Sequence, residues 1–326
     1  MSDVPPVAVV IPSWNTIGFL PACLESLAGQ DVALEPFVVD NASGDGSPAY
    51  LEREGVPHVS LPENAGFAAA VNLGVARTKA PAILVLNADT VLERGSLRFL
   101  SEALEADPGL GGVQPRILQL EKDSGAPRSV ESAHIYSAGQ ALTRDGRAFE
   151  WGMGEKQSSR SAERYEVFGV CGAACLLRRE LFDELGGYDE SYFAFCEDVD
   201  LNLRARIAGW RFELVPDAVV WHVGNASWEA GFGRPAAENA RLVARNRLAT
   251  QAKFMPAGAL PRIAAVEAGS LLRATVEHRL RATLGGKLAA LRWLPRLLHE
   301  RRRLRRSGDL RAARRWLGAT IIRTDG

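Results

Sequence analysis

Short β-rich apolar runs alternate with longer stretches of helical spacing along the first ninety or so residues. Val7-Ala-Val-Val-Ile11 is apolar throughout and closed by Pro12, as a strand buried on both faces would be. A helix-like stretch runs from Ile17 to Gly29, and Glu35-Pro-Phe-Val-Val-Asp40 reads as a second strand that ends in the polar loop Asn41–Ser47. A short strand is expected near His58–Leu61, a helix from Ala68 to Lys79, and a fourth apolar strand over Ala82–Leu86 that ends at Asn87-Ala-Asp89. This alternation predicts an α/β fold, an open and mostly parallel sheet flanked by helices. Ligands bind such sheets at the carboxyl ends of the strands, and the polar clusters Ser13-Trp14-Asn15, Asp40-Asn41 and Asp89 all fall there.

Further along, Val199, Leu203, Ile207 and Trp210 repeat at helical spacing and predict a buried stripe, with Ala208-Gly209 as the stop. Glu197, Asp198 and Asp200 then occupy the first turn, where the helix dipole favours carboxylates and any of them can accept a proton from a hydroxyl. Acidic first turns are also common without chemistry, and Asp200 precedes Arg204 by four residues as an ordinary helix pair does. Residues 121–164 show little periodicity and many Gly, Ser and Arg, which predicts a loop or hairpin insertion. Beyond Ala236 the pattern turns helical and basic.

The chain has 326 residues and a hydrophobic fraction of 47%, which fits one large soluble domain with an appendage. No apolar run approaches the ~18 residues of a membrane span, and the first residues lack the pattern of a secretory signal, so a cytoplasmic protein is expected. Cys23, Cys171, Cys175 and Cys196 have no zinc-ribbon spacing and read as reduced, mostly buried small side chains. The zero net charge conceals an asymmetry: residues 1–240 carry 19 Lys and Arg against 34 Asp and Glu, and residues 241–326 carry 20 against 5. Two modules with different surroundings are expected, one over 1–240 and a basic helical one over 241–326.

Four motifs in order, VVIPSWN (9–15), VVDNASGDGS (38–47), LNADT (86–90) and FCEDVDLNLRARIAGW (195–210), are supplemented by ENAGFAAAVN (63–72) and VWHVG (220–224). Together they resemble the family 2 inverting glycosyltransferases of the GT-A fold, and more narrowly their bacterial rhamnosyltransferase-like branch, over about residues 5–250. The resemblance implies a UDP- or dTDP-sugar donor, with dTDP-rhamnose leading, and a glycan or lipid-linked acceptor in cell-surface polysaccharide synthesis. It implies that Asp40 contacts the donor's base or ribose; the alternative is a turn that Asp40 caps. It implies a divalent metal, Mg²⁺ or Mn²⁺, on Asp89 and His222, with Asn87 standing where the first carboxylate of a DxD motif is usual. An imidazole ligand tilts the preference toward Mn²⁺. His222 otherwise reads as a core histidine bonded to backbone, and Asn87 as a turn residue.

The resemblance makes Asp198 the general base, with Glu197 as a neighbouring contact and Asp200 structural. Pro12, Trp14, Asn15, Asn41, Asn64, Gly66, Phe67 and Asn72 fall on the donor side, where residues 64–72 also read as an ordinary loop-to-helix junction. Gly169–Arg179 resembles the small-residue strand beneath the acceptor, and the 121–164 insertion would border it.

The first strand is followed by Pro12-Ser-Trp-Asn15 and not by a Gly-x-Gly-x-x-Gly turn, which argues against a dinucleotide-dependent oxidoreductase. A sugar-nucleotide pyrophosphorylase would need a Gly-rich basic loop there. A non-catalytic sugar-binding or assembly subunit is the alternative function. The basic tail lacks the interleaved aromatics of a nucleic-acid surface. Its Leu291, Trp293, Leu294, Leu297 and Leu298, with Arg301, Arg302, Arg303, Arg305 and Arg306, are expected on an anionic membrane surface at the inner face of the cell membrane. The alternative is packing on the acidic domain, its own or that of a second copy in a homodimer.

Overall fold

A computed structural model describes residues 5–120, 129–159, 163–224 and 236–318. Parallel strands β1 (Val7–Ser13), β2 (Leu34–Asp40), β3 (His58–Ser60) and β4 (Ala82–Leu86) form one half of the main sheet, in the order β4-β1-β2-β3. The helices between them are α1 (Leu20–Ala28), α2 (Ser47–Arg53) and α3 (Phe67–Ala76). After β5 (Thr90–Leu92) and α4 (Ser96–Ala106), the long β6 (Leu110–Gln119) lies further out in the sheet. Then follow β7 (Ile135–Ser137), β8 (Gln140–Leu142), β9 (Ala148–Glu150), β10 (Tyr165–Val167) and β11 (Ala174–Arg178). Strand β11 runs antiparallel between β4 and β6. It is followed by α5 (Arg179–Leu185), α6 (Glu197–Ala208) and β12 (Arg211–His222), which returns parallel to β6.

The period-two rule sorts the core. In β4, Ala82, Leu84 and Leu86 face one cluster with α1 and α4 side chains, and Ile83 and Val85 face the other with Val71, Val75, Leu181 and Leu201. The insertion holds a hairpin, β8 paired antiparallel with β9; residues 121–128 and 160–162 lie outside the described residues.

The remaining helices are α7 (Ala236–Phe254), α8 (Leu260–Val276), α9 (Leu280–Arg292), α10 (Leu294–Ser307) and α11 (Leu310–Arg314). The boundary expected at residue 240 therefore falls inside α7. Val199, Leu203 and Ile207 of α6 form a third core with Phe254, Met255, Leu310 and Trp316 of this segment. Trp210 lies past the helix and packs with the second cluster instead, because Gly209 ends α6 with φ of 101°.

Ion pairs reinforce the junction. Lys253 Nζ stands 2.7 Å from Asp200 Oδ1 and 2.9 Å from Glu300, and Arg296 reaches both Glu300 (3.2 Å) and Asp189 (3.5 Å). Two side chains expected at a membrane surface therefore face the protein. Leu297 is fully buried, and Arg301 donates to the Ala252 carbonyl at 3.0 Å. Trp293 lies between the Arg245 and Arg296 guanidinium groups, 4.4 and 4.8 Å from its ring. Leu291, Leu294 and Leu298 remain exposed.

Candidate active site

Two adjoining cavities open where the carboxyl ends of β1 and β4 meet the starts of α3 and α6, with α7 as a wall. Pro12, Trp14, Asn41, Asn64, Gly66, Phe67, Asn87 and Asp89 line the first. The second holds about 650 Å³ and is lined by residues that include Tyr136, Gln140, Phe149, Glu150, Glu197, Asp198 and His222. Phe67, Asn87, Ala194 and Phe195 border both. From α7 come Asn239 and Leu242 on the first and Val243, Arg247 and Thr250 on the second.

Several polar residues at the strand ends hold loops together. Asn15 adopts φ of 53°, donates its N–H to Ser43 Oγ at 2.8 Å and accepts from the Gly44 N–H at 2.8 Å, so it ties the loop after β1 to the loop after β2. It lines neither cavity. Asp40, fully buried at the end of β2, accepts from the Ser43 N–H at 3.2 Å as a turn aspartate does. It is also outside both linings, yet its Oδ1 is buried and has no protein partner. Asn41 accepts from the Ala65 N–H (3.1 Å) and donates to the Gly66 carbonyl (3.2 Å), while Asn64 accepts from the Gly66 N–H (2.9 Å).

These bonds fix the turn into α3. Gly66 takes φ of 90°, and a Cβ there would stand 2.5 Å from the Phe193 carbonyl oxygen, so a side chain would break the contact between α3 and the entry to α6. Asn72 is elsewhere. Its amide bonds both the N–H and the C=O of Tyr188 (2.9 Å each) and Glu190 (3.0 Å), and it lines neither cavity, so its role in this structure is to brace α3.

Asp89 and His222 meet because β5 pairs β12 with Thr90 opposite His222. Asp89 Oδ1 and His222 Nε2 stand 3.2 Å apart, and Asn87 Nδ2 is 3.4 Å from the same nitrogen. Asp89 Oδ2 and His222 Nδ1 are both buried without a protein partner. Neighbouring ligands of an octahedral ion at ~2.1 Å stand about 3 Å apart, so this carboxylate and imidazole fit a divalent cation. A second group, Glu150, Cys171 and Asp198, has ligand atoms within 4.8 Å of one another. The Cys171 sulfur is a soft ligand and poorly matched to the hard cations Mg²⁺ and Mn²⁺.

The entry to α6 is strained. Phe193, Phe195 and Cys196 have φ of 67°, 71° and 66°, conformations that cost of order 1–3 kcal/mol each and persist only when their surroundings impose them. Asn246 of α7 supplies that constraint, its fully buried amide donating to the carbonyls of Tyr192 (2.9 Å), Ala194 (2.8 Å) and Phe195 (2.8 Å). The turn delivers Glu197 and Asp198 to the second cavity.

The three carboxylates of this turn differ sharply. Asp198 Oδ2 accepts from Gln140 Nε2 (2.8 Å) and the Gly172 N–H (3.1 Å), and Oδ1 accepts from the Val199 N–H (2.7 Å). Burial outweighs these donors and raises its affinity for a proton above that of an ordinary aspartate. Burial, and then the neighbouring Asp198, push Glu197 up to about 8, and its Oε2 has no protein partner. Burial acts on Asp200 too, but Lys253 and Arg204 outweigh it and hold that carboxylate below its usual range. Asp200 is thus the structural member, bonded to Arg204 Nε at 2.6 Å.

Glu150, Gln140, Asn246 and Arg247 are site residues that sequence reasoning missed. Strands β8 and β9 span three residues each, too short for a period to show. Asn246 and Arg247 sit in a helix whose charge drew attention away from its inner face.

An α/β sheet of this topology, with a carboxylate-bearing helix N-terminus facing the strand ends, is the GT-A-type architecture of glycosyltransferases. Residues 8–186 match the sequence model of Glycosyl transferase family 2, and the chain belongs to that family. The N-acetylglucosaminyl-diphospho-decaprenol L-rhamnosyltransferase of Mycobacterium tuberculosis is 30% identical over 240 residues, 68% of this chain and 76% of the relative. An N-acetylglucosaminyltransferase of Rhizobium sp. is 28% identical over 66% of this chain, which spans about half (48%) of that relative. Among solved structures, a mannosyltransferase from Pyrobaculum calidifontis in complex with GDP-Man and Mn²⁺ is similar over 96% of this chain and 78% of its own, at 20% identity and a TM-score of 0.52. GalNAc-T7 with UDP, GalNAc and Mn²⁺ aligns over 68% of this chain and 44% of its own, at 17% identity and a TM-score of 0.56. At these identities the structural likeness shows the fold alone.

Proposed function

We propose that this glycosyltransferase moves a sugar, L-rhamnose from dTDP-rhamnose as the leading donor, to a glycan or lipid-linked acceptor with inversion at the anomeric carbon. The observation that carries this reading is Asp198, a carboxylate of raised proton affinity held in the larger cavity beside the wall shared with the smaller one. The smaller cavity suits the donor, and Asp40, next in sequence to its lining residue Asn41, keeps a buried Oδ1 without a protein partner that could accept from a base imide or a ribose hydroxyl. The larger suits the acceptor. Asp198 takes the proton from the acceptor hydroxyl as that oxygen bonds to the anomeric carbon, while the bond to the diphosphate breaks and its electron pair leaves with the phosphate. Inversion follows from attack opposite the leaving group.

Asp89 and His222 are the residues that would hold a divalent cation, and a cation there would screen the diphosphate charge and stabilise its departure. The rhamnosyltransferase relative named above supports both the donor sugar and a lipid-linked acceptor. A panel of UDP- and dTDP-sugars, scored by release of nucleoside diphosphate with and without candidate acceptors, tests the reading. Turnover should be fastest with dTDP-rhamnose, and no turnover with any activated sugar would refute it.

A further inference from the structure

Glu150 enters the larger cavity from the end of β9, and a single amide joins it to Asp198. Gln140 Nε2 donates to Glu150 Oε1 at 3.1 Å and to Asp198 Oδ2 at 2.8 Å. The amide cannot turn over freely, because Gln140 Oε1 accepts from Asn202 Nδ2 at 2.9 Å, and Asn202 Nδ2 also donates to the Val170 carbonyl. Ser137 Oγ holds the other oxygen, Glu150 Oε2, at 2.5 Å. Two carboxylates from distant parts of the chain are therefore held at a fixed separation on one cavity wall. Simple packing does not explain this arrangement. A glutamine at 150 would fill the same space without placing a second acidic group beside Asp198, where like charges oppose each other's ionisation.

We propose that Glu150 is the second carboxylate of the acceptor site, where it binds a hydroxyl of the acceptor sugar next to the one Asp198 deprotonates. The proposal rests on Asp198 being the base. A sugar offers neighbouring hydroxyls a few ångströms apart, and two carboxylates with a donor locked between them accept from both while Gln140 keeps them from collapsing together. Because Glu150 lies in an insertion after β6, changes in that hairpin would alter which acceptor fits while the donor side stays intact.

The groups facing the pair are mostly acidic or neutral. They are Glu197 and Cys196 at the start of α6, Cys171 and Cys175 around β11, Tyr136 of β7 and Tyr188 after α5, with Arg147 and Arg247 on the cavity wall. Burial, then Asp198, push Glu150 up to about 7 against the bonds from Ser137 and Gln140.

The test compares wild type with Glu150→Gln, which keeps the shape but exchanges one accepting oxygen for an NH2 donor, and with Glu150→Asp. Both variants are assayed with donor and acceptor varied separately. In Glu150→Gln the acceptor KM should rise about tenfold, as for a lost hydrogen bond to a charged group, and more than the donor KM, with partial recovery in Glu150→Asp. An acceptor KM unchanged from wild type would overturn the proposal. Acceptor binding to protein with nucleoside diphosphate, followed by calorimetry, gives a readout that needs no turnover. Weaker acceptor binding in Glu150→Gln supports the site even if the Asp198 base assignment fails, and binding equal to wild type refutes it.

Discussion

Asp89 Oδ1 stands 3.2 Å from His222 Nε2, and the remaining polar atom of each side chain is buried with no protein partner. A hydrogen-bonded pair formed for stability would be expected to engage those atoms as well. The arrangement fits a cation between the two groups, and Asp89→Ala or His222→Ala should each weaken Mn²⁺ binding by at least the ~10- to 100-fold seen for lesser changes around metal sites. Calorimetric titration of Mn²⁺ into protein with nucleoside diphosphate checks this. Affinity equal to wild type in both variants would contradict the assignment.

Asn246 holds the strained entry to α6 through three carbonyls. Asn246→Ala should lower stability by about 1–3 kcal/mol, since buried carbonyls lose their donor, and should depress transfer by misplacing Asp198. Urea unfolding gives the first quantity, and a midpoint unchanged from wild type would show that the strain is held by other contacts.

The pH dependence of stability follows from Glu197. Its folded-state affinity for a proton is raised from the ordinary 4.5 of a glutamate to about 8, chiefly by burial and then by Asp198. The folded protein thus holds a proton that the unfolded chain has released between these values, and stability falls as pH rises through that window. Glu197→Gln should flatten the decline in thermal midpoint between roughly pH 5 and 8. A slope as steep as that of wild type would refute the assignment.

Much of the fold was legible because the buried parallel strands are apolar runs with sharp polar ends, so Asp40 and Asp89 could be placed at one edge of the sheet before any packing was known. The exact work of each polar side chain was not legible. Asn15, Asn41, Asn64 and Asn72 all read as donor contacts, but the hydrogen bonds that commit Asn15 and Asn72 to loops and to Tyr188 depend on segments far away in sequence. Glu150 was hidden for the same reason: three-residue strands carry no period, and its partner Asp198 lies on α6. In the basic segment, charge and leucine spacing pointed outward, yet Leu297 is fully buried.

What remains outside on that segment is Leu291, Leu294 and Leu298, with the exposed Arg302, Arg303, Arg305 and Arg306 following on α10. No helix among the described residues is long and apolar enough to cross a membrane. Basic residues near an anionic leaflet gain ~1 kcal/mol each, lost at high salt. Replacing Arg302, Arg303, Arg305 and Arg306 by glutamine should therefore abolish co-sedimentation with anionic vesicles at low salt. Equal sedimentation of the variant, or none of the wild type, would rule out this surface.

The central claim is that Asp198 is the base. Asp198→Asn keeps the shape of the side chain and its place in the cavity but removes the group that takes the proton, and loss of a general base costs ~10²–10⁴ in rate. Single-turnover transfer from the active donor to its acceptor, measured beside donor binding by calorimetry, separates chemistry from affinity. The account predicts a transfer rate reduced at least a hundredfold, about the lower end of that range, with donor affinity close to wild type. Transfer at near wild-type rate would contradict it and turn the assignment to Glu197.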